Sequence, residues 1–105
     1  MDKRTVNKII AYLKSELQAQ GLTISGIALF GSQLNNNAGK DSDLDLIIIS
    51  EEFKNKNIFK RGDLTMKAER KTLRKFMVPM DILNLTPAEF DTAIKNKMYQ
   101  ARMVA

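Results

Sequence analysis

Two aspartates separated by one residue, Asp43-Leu44-Asp45, open an apolar run that continues to Ile49. In an extended strand alternate side chains share a face, so Asp43 and Asp45 lie together while Leu44 and Leu46 occupy the other side. Two carboxylates held side by side repel each other unless a cation sits between them. A third acid, Asp81, interrupts the apolar segment Val78-Pro79-Met80-Asp81-Ile82-Leu83, where burying a lone charge is costly unless it is paired or metal-bound. Upstream, Gly31-Ser32 directly follows the apolar residues 24–30, and ten residues separate Ser32 from Asp43. Glycine lets the backbone turn sharply and approach a ligand closely. The N–H groups that follow, together with the Ser32 hydroxyl, can donate to phosphate oxygens. If the two strands pair antiparallel, Gly31-Ser32 and the aspartate pair meet at one edge of a sheet. Phosphate donors beside carboxylates describe a metal–triphosphate site. Asp81, from a neighbouring strand, would complete a ligand set for two divalent ions roughly 3.5–4 Å apart.

Each feature alone has a structural reading. Gly-Ser pairs are common in plain turns, Asp-x-Asp can cap a loop, and Asp81 could pair with one of the many lysines. Their joint arrangement is what points to chemistry. Composition narrows that chemistry further. The chain has no cysteine and no histidine, which excludes disulfides, thiolate metal sites, Ser-His and Cys-His mechanisms and the usual zinc centres. Any metal must be held by oxygen, which leaves Mg²⁺, Mn²⁺ or Ca²⁺.

The elements that must position these residues follow from periodicity. Val6, Ile9, Ile10, Leu13 and Leu17 form one helical stripe, and Gly21 follows as a stop signal. Residues 24–30 read as a buried strand, residues 31–42 as a polar Asn- and Gly-rich loop, and residues 43–50 as a central strand. Residues 51–59 form a polar connector. Residues 61–76 predict a helix with Met66, Leu73 and Phe76 inward and Lys67, Lys71 and Lys75 on a solvated basic stripe. Residues 78–85 give a third strand. Thr86-Pro87-Ala88-Glu89 then combines a capping box with proline at the first helical position. Phe90, Ala93, Ile94 and Met98 form that helix's expected inner face, and the tail after Met98 carries no signal. The order predicts an α/β fold, a small mixed β-sheet covered by helices.

At 105 residues the expectation is a single domain, residues 1–105, with one core and little surface left for a second lobe. Hydrophobic content of 44% and charged content of 28% fit a soluble globular protein. No apolar run is long enough to cross a membrane and no signal-peptide core is present, so a cytoplasmic location is expected. The net charge of +5 is uneven: residues 53–76 hold nine Lys/Arg against two acids. Such a cluster favours a polyanionic partner or a solvated helix face.

Gly31-Ser32, ten residues, Asp43-x-Asp45 and a later strand Asp81 together resemble the signature of the DNA polymerase beta nucleotidyltransferase superfamily. The resemblance is nearest to the minimal nucleotidyltransferases of prokaryotes, often paired as antitoxins with a HEPN-domain protein. Gly39 and Asp41-Ser42 fit the same pattern, which the aminoglycoside nucleotidyltransferases share. Asn35 and Asn36 stand where many minimal members carry Arg and Gly. The resemblance implies a polymerase beta palm-like fold and two Mg²⁺ ions held by Asp43, Asp45 and Asp81. It implies that Gly31 and Ser32 hold the triphosphate tail and that Asp81 helps to deprotonate the attacking hydroxyl. The implied reaction is transfer of a nucleoside monophosphate, AMP from ATP, to a hydroxyl on a partner protein such as a HEPN-domain toxin. A catalytically silent antitoxin subunit and a small-molecule modifier of the aminoglycoside type are the alternatives. Nucleic acid is a lesser candidate partner and a membrane is not expected.

Overall fold

A computed structural model describes residues 1–31, 43–98 and 100–105 of the chain. Helix α1 (Lys3–Ala19) begins at Asp2, whose side chain accepts from the Thr5 backbone N–H, and buries the predicted stripe Val6, Ile9, Ile10, Leu13 and Leu17. Two antiparallel strands follow, β1 (Gly26–Phe30) and β2 (Leu44–Ile49). A short 3-10 turn (Glu51–Phe53), started by Ser50, plants Phe53 in the core. Helix α2 (Ile58–Phe76), capped by the Asn57 side chain, carries the chain to β3 (Met80–Leu85), which runs parallel to β2. Helix α3 (Pro87–Lys95) starts at the predicted capping box, in which Thr86 and Glu89 satisfy each other's backbone N–H. The chain then returns as β4 (Ala101–Met103), giving a four-stranded mixed sheet in the order β3-β2-β1-β4.

The sheet separates two environments. Ile27 and Leu29 of β1 and Leu44, Leu46 and Ile48 of β2 face α1 and α2 in the main core. The alternate residues Ala28, Ile47 and Ile49 face the other way, where Phe90 of α3 joins Leu83 and Leu85 over a smaller cluster. Two helices thus close one face, while α3 covers one end of the other.

Several elements depart from expectation. On α2 the inward residues are Thr65, Ala68 and Thr72, whereas Met66 and Leu73 are exposed. Small side chains let α2 lie close against α1 and the sheet, and Thr72 satisfies its hydroxyl on the Ala68 carbonyl at 2.7 Å. Lys67, Lys71 and Lys75 are exposed, and two of them also reach α1. Lys71 pairs with Glu16 of α1 at 3.3 Å, and the Lys75 ammonium sits 5.1 Å from the Tyr12 ring centroid. On α3 only Ala93 is buried, with Met98 64% exposed. The tail without a signal forms β4: Leu29 faces Arg102 across the ladder and Ala28 faces Met103. A strand of three residues is too short to show alternation, and its place is set by the β1 edge it pairs with.

Arg61 ties the end of this arrangement together. Its guanidinium donates to both Glu89 carboxylate oxygens at 2.6 and 3.1 Å and to the Asn84 carbonyl at 2.9 Å. One side chain therefore locks α2 to the end of β3 and the start of α3. The Arg61 hydrogen bond, ahead of the Thr86 contacts, holds the Glu89 carboxyl below its ordinary range.

Candidate active site

The backbone ladder brings the sequence-predicted residues to one corner of the sheet. Phe30, the last residue of β1, pairs with Asp45 of β2. On the other side, Asp45 is the in-register partner of Asp81 across the parallel β2–β3 ladder. Neighbouring strands lie about 4.8 Å apart, and in-register partners carry their side chains on the same face. Asp45 is thus flanked by Asp81 on one side and by the end of β1 on the other. Asp43 stands two residues before Asp45, immediately ahead of β2. All three belong to the face that α3 leaves uncovered at this end: Asp43 and Asp81 are exposed and Asp45 is half-buried.

Gly31 closes the corner. Its φ of +75° lies in the left-handed region, and a Cβ there would run into the Asp45 carboxylate. Glycine is therefore required twice, for conformation and for space. The second requirement is direct evidence that the end of β1 packs on the Asp45 side chain. Ser32, the Asn35/Asn36 pair, Gly39 and Asp41-Ser42 lie outside the described residues.

The donor set is all oxygen. Asp45 and Asp81 stand side by side on adjacent strands, an arrangement of like charges that destabilises a sheet by itself. Among the described residues, no three of His, Cys, Asp and Glu form a group that could hold a metal ion. The geometry is instead that of a carboxylate pair with a third acid at its margin. Such a site fits a hard divalent ion of the Mg²⁺ kind, which keeps several waters and takes one or two carboxylates plus substrate phosphates.

The nucleotidyltransferase domain family is matched by residues 6–104, from the first turn of α1 through β4. The chain belongs to that family. Among solved structures, this nucleotidyltransferase domain resembles a candidate nucleotidyltransferase from Sulfolobus solfataricus. The two share 20% identity and a TM-score of 0.60, over 88% of this chain and 82% of that one. It also resembles the BolA domain of SufE1 from Arabidopsis thaliana, at 21% identity and a TM-score of 0.53, over 85% of this chain and 98% of that one. BolA1 from the same plant gives 20% identity and a TM-score of 0.50, over 73% and 94% of the two chains. No curated protein matches. Similarities at this level speak for the fold alone.

What the sequence did not reveal is how the corner is built. The tail strand β4 sets Ala101 beside Phe30, so it supports the end of β1 that leads into Gly31. No helix among the described residues is long and apolar enough to cross a membrane.

Proposed function

We propose that this domain transfers AMP from ATP to a hydroxyl on a partner protein, as the antitoxin member of a pair with a HEPN-domain toxin. The observation that carries the transfer site is the in-register Asp45–Asp81 pair with Gly31 packed against Asp45. Asp43, Asp45 and Asp81 are the carboxylates that would hold the two Mg²⁺ ions, together with the oxygens of the substrate phosphates, and the ions would supply Lewis-acid neutralisation of the triphosphate. Gly31, with Ser32, holds the triphosphate tail through backbone N–H groups. Asp81 accepts the proton of the acceptor hydroxyl, whose oxygen forms the new bond to the α-phosphorus. The bond from the α-phosphorus to the bridging oxygen breaks, and that oxygen leaves with pyrophosphate. The exposure of Asp43 and Asp81 on an uncovered face supports a macromolecular acceptor, because the acceptor must supply the wall that positions its own hydroxyl.

Two measurements test this reading. Calorimetry with ATP, GTP, CTP and UTP should show binding that prefers ATP and disappears with EDTA. Incubation with α-labelled ATP and a co-expressed HEPN-domain partner should label the partner only with Mg²⁺ present. Tight nucleotide binding that survives EDTA rules out the carboxylate-bridged site. Efficient labelling of free small molecules, with the partner unlabelled, replaces the protein acceptor with a small-molecule one.

A further inference from the structure

On the helix layer, away from the carboxylate corner, α2 exposes an apolar stripe. Phe59, Met66 and Leu73 recur at seven-residue intervals, two helical turns each. Met77, the residue that ends the helix, continues the line. Their exposures are 80%, 42%, 43% and 76%. The stripe lies opposite the side on which Thr65, Ala68 and Thr72 are buried, so these large apolar side chains face outward. Beside it, Gly62, Met66, Glu69, Arg70, Leu73 and Met80 line a groove of about 310 Å³. Along the opposite flank run Lys60, Lys67 and Arg74, all exposed, with Asp63 among them, and Arg70 lies between this flank and the groove. Lys71 borders the same surface but also reaches Glu16 of α1, and Lys75 reaches Tyr12.

We propose that this face of α2 docks an amphipathic helix of a partner protein that carries an apolar stripe bordered by Asp and Glu. Large apolar side chains aligned at helical spacing read as anchors for a helix laid alongside. The one-sided row of cations selects an acidic flank and sets the orientation of docking. A second copy of this chain is a poor occupant, because symmetric pairing of α2 with α2 brings two such cationic rows into one interface. Nucleic acid would use the cations but leave Phe59, Met66 and Leu73 without a role. The surface does not rest on the transfer chemistry, since it lies on the other side of the sheet from Asp45 and Asp81.

The test uses a fluorescein-labelled peptide helix with leucines at helical spacing and glutamates on one flank, without nucleotide or metal. Anisotropy should report binding at micromolar Kd, weakened by about tenfold or more in Met66→Glu and Leu73→Glu, the scale of a lost anchor. A double variant, Lys67→Glu with Arg74→Glu, should weaken binding to the glutamate peptide and strengthen binding to a lysine-flanked version. Wild-type protein that binds both peptides equally overturns the charge argument. Binding unmoved by Met66→Glu overturns the site. Sedimentation of the wild type as a dimer that Met66→Glu makes monomeric assigns the face to a second copy and overturns the proposal. So does displacement of the peptide by a short single-stranded RNA. Circular dichroism melts should match the wild type in every variant, because the substituted residues are exposed; if Met66→Glu fails to fold, Phe59→Asp carries the same test.

Discussion

The two faces of β2 are made from alternate residues of one six-residue strand, yet they do opposite things. Leu44, Leu46 and Ile48 are fully buried beneath α1 and α2. Asp45 shares the other face with Ile47 and Ile49, and the apolar pair is covered while the acid end is left open. Stability is concentrated on one side, which frees the other to hold like charges next to each other. Neighbouring carboxylates on a sheet are unfavourable unless something neutralises them.

The sharpest way to break this comparison is at the acid end. Asp45→Asn should lower transfer on the order of a hundredfold or more, the scale seen when one group that stabilises transition-state charge is removed. Asp81→Asn should do the same while leaving the urea midpoint equal or higher, because it removes an in-register repulsion with Asp45. Unfolding of Asp81→Asn would make the pair structural and remove the distinction between the faces.

On the covered face, Leu46→Ala should destabilise the fold by about 2–5 kcal/mol, as large-to-small changes do where neighbours cannot collapse. Urea denaturation measures it, and the residual folded protein should bind nucleotide with unchanged affinity. A loss of nucleotide affinity that matches the loss of stability would show that the two faces are not separable.

Gly31→Ala comes next. The left-handed conformation costs a non-glycine residue roughly 1–2 kcal/mol, and the added methyl must displace the Asp45 carboxylate. Nucleotide binding in the presence of Mg²⁺ should therefore fall more than thermal stability does. Wild-type affinity in this variant would detach Gly31 from the site.

The smallest effects are two opposed pH slopes, both outside the acid corner. Burial pushes the Glu69 carboxyl up, partly countered by the Thr65 hydroxyl that donates to it at 2.5 Å. A raised pKa means the folded state holds the proton more tightly. Stability should fall as pH rises from the ordinary glutamate value through the raised one, and Glu69→Gln should remove that slope. Glu89 is the reverse: with its pKa held down by Arg61, its contribution is present above the ordinary glutamate value. It is lost as pH falls through the lowered one. Arg61→Ala should flatten that acid-side slope and lower stability at neutral pH, because it also removes the hydrogen bonds that hold Glu89 and the Asn84 carbonyl. Melting curves between mildly acidic and neutral pH check both.

The sequence alone carried the α/β class, the α1 stripe, the Thr86 capping box and the aspartates of the open corner. Those features are local: a helical repeat, a cap and a two-residue alternation are written in neighbouring residues. The excess of positive charge along residues 53–76 was legible too, but not its use, because composition cannot say that Lys71 meets Glu16 or that Lys75 meets Tyr12. Met66 and Leu73 were expected inside for their apolarity, whereas the packing put Thr65, Ala68 and Thr72 there. Which face of a helix is buried depends on what it is pressed against. Only the tertiary structure set Asp45 in register with Asp81, since strand pairing across 35 intervening residues is decided by how α2 crosses over and not by either strand. It likewise decided that Gly31 abuts the Asp45 carboxylate and that the chain's last residues form a strand, because both depend on an edge that exists only once the sheet has formed.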